Sequence, residues 1–122
     1  MSCIEEKGRV LSKNCPSRDI LNHLTSRWGT LVMMVLLGGT KRFSEIRREI
    51  EGISERMLTE TLKQLENDGM LVRRAYHTVP PHVEYSLTPH GEQAGMKIHA
   101  LVDWLENSLP DILAQKVQQA EV

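Results

Sequence analysis

SEIRREIEGISERMLTETLKQLENDG, residues 44–69, decides the fold. Two helical patterns lie in it back to back. Ser44 can cap the first, with Ile46 and Ile50 turned inward and Gly52 closing it. Ser54 can cap the second, where Leu58, Leu62 and Leu65 recur at i, i+4 and i+7 until Asp68-Gly69 ends the helix. Only Glu51-Gly52-Ile53 separates the two. Short helices around so tight a connection predict a helix-turn-helix.

Downstream the hydrophobic period changes from that of a helix to that of a strand. Leu71 to Tyr76 reads as one strand and Val83 to Leu87 as its partner, with Val83, Tyr85 and Leu87 inward. Between them His77-Thr78-Val79-Pro80-Pro81-His82 forms a stiff loop. Thr88-Pro89 opens a long helix over about residues 89–109, in which Ala94, Ile98, Leu101, Val102, Leu105 and Leu109 share one stripe. Pro110 is expected to end it and to open a short last helix over residues 111–122. Upstream, Pro16 suits a first helical position ahead of the stripe Ile20, Leu21 and Leu24. A nearly unbroken apolar helix from Ser26 to Leu37 then stops at Gly38-Gly39 and should be the buried central one. Lys41-Arg42-Phe43 is a short extended piece, and residues 1–14 read as a loose arm. The expected fold is mainly α with a small β-hairpin. It is a winged helix-turn-helix over residues 15–110, flanked by N- and C-terminal helices.

The rest of the chain narrows the function. A length of 122 residues suits one domain that needs no metal or disulfide to complete its core. The longest apolar run, Leu31 to Leu37, is far short of the roughly twenty residues of a membrane helix, and the N-terminus lacks an apolar signal core. A cytoplasmic protein is expected. Cys3 and Cys15 cannot make a disulfide framework. No glycine-rich phosphate loop, GxSxG, HExxH or CxxC spacing occurs, so neither an enzyme, a cofactor nor a metal is expected. The net charge of −1 first argues against nucleic acid. Its distribution is permissive, because the acidic excess sits in residues 77–122, with two Lys and Arg against six Asp and Glu.

Off the leucine stripe of the second helix stand Glu55, Arg56, Thr59, Glu60 and Lys63. Arg56, Thr59 and Lys63 are what a major-groove reader presents, since Arg and Lys reach guanine edges. Ser54 would fix the helix start, and Arg47 and Arg48 of the preceding helix count with them as DNA contacts. An ordinary solvated helix face is the alternative. Arg73 and Arg74 fall on opposite faces of their strand, so only one can point to DNA, and Arg74 is taken with the loop residues His77 and His82. The other arginine can pair with Glu84. A plain surface loop is the alternative there. The long-helix stripe, with Trp104 on its edge, is wider than one small domain needs. Ile20, Leu24, Leu101, Trp104 and Leu105 are therefore candidates for packing against a second copy, or else they close the monomer core. Cys15 precedes Pro16 at the positive end of a helix dipole, a position that favours thiolate and hence reaction with oxidants and electrophiles. An inert, buried cysteine packed near Trp28 is the other reading. Cys3 is a resolving partner or a bystander.

Assembled, these stretches closely resemble the HxlR-type family of bacterial transcriptional regulators. They are Cys15-Pro16, Trp28-Gly29, Arg42 to Arg48, Ile53 to Thr59, Leu65 to Gly69 and, most specifically, Val79 to Gly91. The resemblance covers about residues 15 to 110. It implies a homodimeric winged helix that binds double-stranded operator DNA and responds to stress or to small molecules. It also points to Cys15, because some members use the cysteine at this position as a redox sensor. One departure is His82, at a wing position often basic in the family. A protein-binding winged helix, and a small-molecule-responsive regulator without a redox switch, are the competing functions. Steep salt dependence would separate DNA binding from the former.

Overall fold

The computed structural model describes residues 7–121, with side chains as far as Gln119. The order is α1 (Pro16–Leu24), α2 (Arg27–Leu37), β1 (Lys41–Arg42), α3 (Phe43–Glu49), α4 (Glu55–Asn67), β2 (Leu71–Tyr76), β3 (His82–Leu87) and α5 (Pro89–Glu121). α3 and α4 are the expected pair. Ser54 caps α4 by accepting the Met57 amide at 3.1 Å, and Gly52 makes the turn with a φ of 90° that a side chain would oppose. Ile53, in the same turn, is buried.

α2 runs through the middle and gives Val32, Met33 and Leu36 to the core. Around them lie Ile46 and Ile50 of the α3 segment, Leu58, Leu62 and Leu65 of α4, Leu71 of β2 and Tyr85 of β3. The start of α5 seals this core with Ala94 and Ile98. Gly91 lets α5 approach closely, because a Cβ there would overlap the Met70 carbonyl.

Four features differ from the sequence expectation. The hairpin is part of a three-stranded antiparallel sheet of order β1-β3-β2, because Lys41 and Arg42 pair with Tyr85 and Glu84. α3 starts two residues early: Arg42, not Ser44, precedes it, and the Arg42 amide donates to Glu45 Oε1 at 2.9 Å. α5 does not end before Pro110 but carries it inside a 33-residue helix. The proline ring fixes a φ that a helix accepts, and Pro110 and Glu106 both lie exposed, where solvent can serve the carbonyl that loses its donor. Finally, residues 8–14 are not a loose arm. The Ser12 amide bonds to the Arg9 carbonyl and the Cys15 amide to the Ser12 carbonyl. The Arg18 guanidinium of α1 donates to the Val10 and Leu11 carbonyls at 3.1 and 2.8 Å.

Candidate nucleic-acid interface

α4 has one buried and one exposed side. Leu58, Leu62 and Leu65 are buried against α2, so Arg56, Thr59 and Lys63 project outward. Arg56 Nε lies 3.3 Å from Glu60 Oε1, and the Thr59 hydroxyl donates to the Glu55 carbonyl at 2.8 Å. Arg47 of α3 reaches Glu55 at 3.7 Å. Lys63, Arg48, Arg73 and Arg74 have no carboxylate within ion-pair distance among the described residues. The face thus holds both paired and unpaired cations. Each pair is solvent-exposed and costs little to exchange for a phosphate.

The sheet registers decide between the two arginines of β2. Arg74 stands opposite Glu84, which on its other side faces Arg42, so these three share one face. Arg73 stands opposite Tyr85 on the face turned toward α4. There it lines a groove with Phe43, Thr59, Leu62, Lys63, Glu66 and Tyr85. Sequence reasoning passed over Arg73. The signal was available, because Arg73 shares the strand face of buried Leu71. His77 is exposed at the start of the wing loop. His82 is folded back: its ring stacks on Tyr76 at 4.7 Å between centroids, and Nε2 lies 3.3 Å from Glu84 Oε2. That geometry braces the wing and does not offer the imidazole to a phosphate.

Away from this face, α5 exposes Leu101, Trp104 and Leu105 to 60%, 57% and 44%. Leu109, Leu113 and Val117 continue the exposure. These side chains do not close the core of this chain. On α1, Leu24 packs against the core while Ile20 is half-buried, and the exposed large apolar residue is Leu21. α1 therefore offers Ile20 and Leu21 to a neighbour more than Leu24.

Cys15 is buried and forms the N-cap of α1. Its Sγ accepts from the Arg9 amide at 3.3 Å and from the Ser17 hydroxyl at 3.0 Å. Two donors on the sulfur, one from the preceding segment and one from the first turn of α1, favour the thiolate, while burial opposes it. The cysteine lies outside the core cluster that Trp28 borders. Arg18, a turn later, is committed to backbone carbonyls of residues 10 and 11 and holds that segment in place. Cys3 lies outside the described residues. No helix among the described residues is long and apolar enough to cross a membrane.

A family model described as HxlR-like helix-turn-helix matches residues 23–112. The chain is 53% identical over 115 residues to the uncharacterised HTH-type transcriptional regulator YtfH of Escherichia coli K12, spanning 94% of this chain and 91% of that one. Among solved structures, ytfH from Salmonella typhimurium is 54% identical with a TM-score of 0.84, over 90% of this chain and 98% of that one. Redox regulator HypR in its oxidized form is 39% identical with a TM-score of 0.70, over 76% and 96% of the two chains.

Proposed function

The chain belongs to the HxlR-like helix-turn-helix family of DNA-binding transcriptional regulators, which are not enzymes, and on that premise we propose that it works as a cytoplasmic homodimer on an inverted-repeat operator. In this reading α1 and α5 form the dimer, and the two α4 helices sit roughly 34 Å apart, one turn of DNA. Arg56, Thr59 and Lys63 read base edges in the major groove, and Ser54 fixes the start of the helix. Arg47, Arg48, Arg73 and His77 meet phosphates, while Arg74, on the other strand face, stands opposite Glu84. The carrying observation is α4 itself, whose apolar half is consumed by the core while its capped, polar half, with Arg56, Thr59 and Lys63 on it, faces out beside the wing.

Cys15 is the group through which an oxidant or electrophile changes DNA binding. Its support is the pair of donors on Sγ, together with the similarity to a protein named as a redox regulator. The cysteine caps a dimer-forming helix, so its modification would tilt the reading helices away from the half-site spacing.

Operator DNA recovered by selecting bound genomic fragments tests both parts. Native protein should bind an inverted repeat with affinity that falls steeply with salt. Arg56→Ala with Lys63→Ala should weaken binding while the protein stays folded; unchanged affinity would refute the reading face. Diamide should change operator binding of native protein and leave Cys15→Ser unaffected. Equal responses of the two proteins would make Cys15 structural.

A further inference from the structure

Both dimer-forming helices hold the recognition helix at the same end. His23, in the last turn of α1, places Nδ1 2.6 Å from Oδ2 of Asp68, the C-cap of α4. The Asp68 side chain is only 12% exposed, so this short contact is largely shielded from water. One residue further, the α5 start takes hold. Thr88 donates its hydroxyl to the Gly69 carbonyl at 2.6 Å and its amide to the Met70 carbonyl at 3.0 Å. The opposite end of α4, which carries the reading turn, is tied to α3 by the exposed Arg47–Glu55 pair at 3.7 Å.

Leu58, Leu62 and Leu65 join α4 to the core along its length, so α4 moves with that core, and a change in its angle to α1 carries the reading turn with it. α4 has 13 residues and is therefore about 20 Å long. A tilt of about 10° about its C-terminal end moves the reading turn by about 3.5 Å, one base-pair step. We propose that His23 is a positioning residue for DNA recognition: through Asp68 it sets the angle between α4 and α1, and so the separation of the two reading helices in the dimer. The inference rests on the two-half-site reading above. It assigns to His23 a part in choosing operator spacing, not a contact with DNA.

The ordinary alternative is that the pair merely stabilises the end of α4. Stability alone would lower affinity for every operator equally. A positioning role changes the dependence on spacing. The test uses the operator recovered above and versions with the half-sites moved by one base pair inward, and by one and two outward. Each step rotates a half-site by about 34° and shifts it by about 3.4 Å. Native protein should lose affinity about tenfold per step, and folded His23→Ala about threefold or less, because its reading helices are no longer held to one separation. His23→Gln, whose amide can still donate to Asp68, should restore most of the steepness.

Circular dichroism confirms that each variant is folded before binding is compared. A His23→Ala profile as steep as the native one overturns the inference, even if affinity falls evenly at all spacings. A native profile that is flat overturns the two-half-site reading and this inference with it. The two failures are therefore distinguishable by which protein shows the flat profile.

Discussion

α4 and α5 are both amphipathic, yet they use their apolar sides in opposite ways. On α4 the leucines point into the chain and the charges point out. On α5 the first turns, with Ala94 and Ile98, pack on the core, and further along Leu101, Trp104, Leu105, Leu109, Leu113 and Val117 face out, while Val102 stays half-buried. Length explains the difference. A 33-residue helix spans about 50 Å, whereas a domain of this size has a radius of gyration of about 14 Å. The body of one chain cannot cover such a helix. α4 is complete within one chain and leaves a polar surface that fits DNA. α5 leaves an apolar surface that fits a second copy.

The largest expected effect breaks the α5 side of this contrast. Leu105→Asp puts a charge where the proposed dimer buries an apolar side chain, at a cost of about 3–5 kcal/mol if the charge stays uncompensated. Sedimentation should show a monomer with native helical content, and operator affinity should fall at least about a hundredfold. A dimer that persists would move the interface off this stripe. The matching change in α4 acts on the other quantity. Leu65 is fully buried, and Leu65→Ala should lower unfolding free energy by about 2–5 kcal/mol in urea titrations. The melting temperature of native protein should rise with protein concentration, as dimerisation stabilises the fold.

The same contrast marks what the sequence made legible. The helix-turn-helix was readable because its signals are local: Ser54 before a leucine period, Gly52 in the turn, Asp68-Gly69 at the end. The wing strands were readable because Val83, Tyr85 and Leu87 alternate. What failed depended on partners far along the chain. Lys41 and Arg42 become a strand only because β3 is there to pair with them. Residues 8–14 fold because Arg18 reaches back to two carbonyls, and no periodicity announces such bonds. The commitment of His82 to Tyr76 and Glu84 needs the strand register, which fixes Tyr76 opposite His82. Pro110 misled for a different reason. Proline breaks a helix where the freed carbonyl is buried, whereas Pro110 and Glu106 both lie on an exposed side.

Next in size come the cations of the α4 groove. If Lys63 reads a base edge, Lys63→Ala should cost about 1–3 kcal/mol on the cognate operator and relax preference at one position. Arg73→Ala should instead weaken cognate and unrelated DNA alike, with the slope of log affinity against log salt reduced by about 0.9 for one phosphate lost. If Arg73→Ala changes sequence preference and Lys63→Ala does not, the two roles are exchanged. If neither changes binding, the groove is not in contact with DNA.

The smallest expected effect has the opposite sign and probes the polar side of α4 alone. Arg56 and Glu60 pair at 3.3 Å, with side chains 87% and 51% exposed. An exposed pair of this kind adds only about 0.3–0.5 kcal/mol to a helix, so Glu60→Gln should leave stability within about 0.5 kcal/mol of native. DNA binding should respond in the other direction. The substitution removes a carboxylate that repels phosphates and releases Arg56, whose guanidinium no longer has to leave a partner before meeting a base. Operator affinity should therefore rise by a few-fold at low salt, with the gain shrinking as salt screens the removed charge. A matched change on α5, Asp111→Asn, lies on an exposed part of the helix away from the reading helix and should leave operator affinity unaltered at the same salt. Equal gains from both substitutions would mean that total charge, and not the face of α4, governs binding.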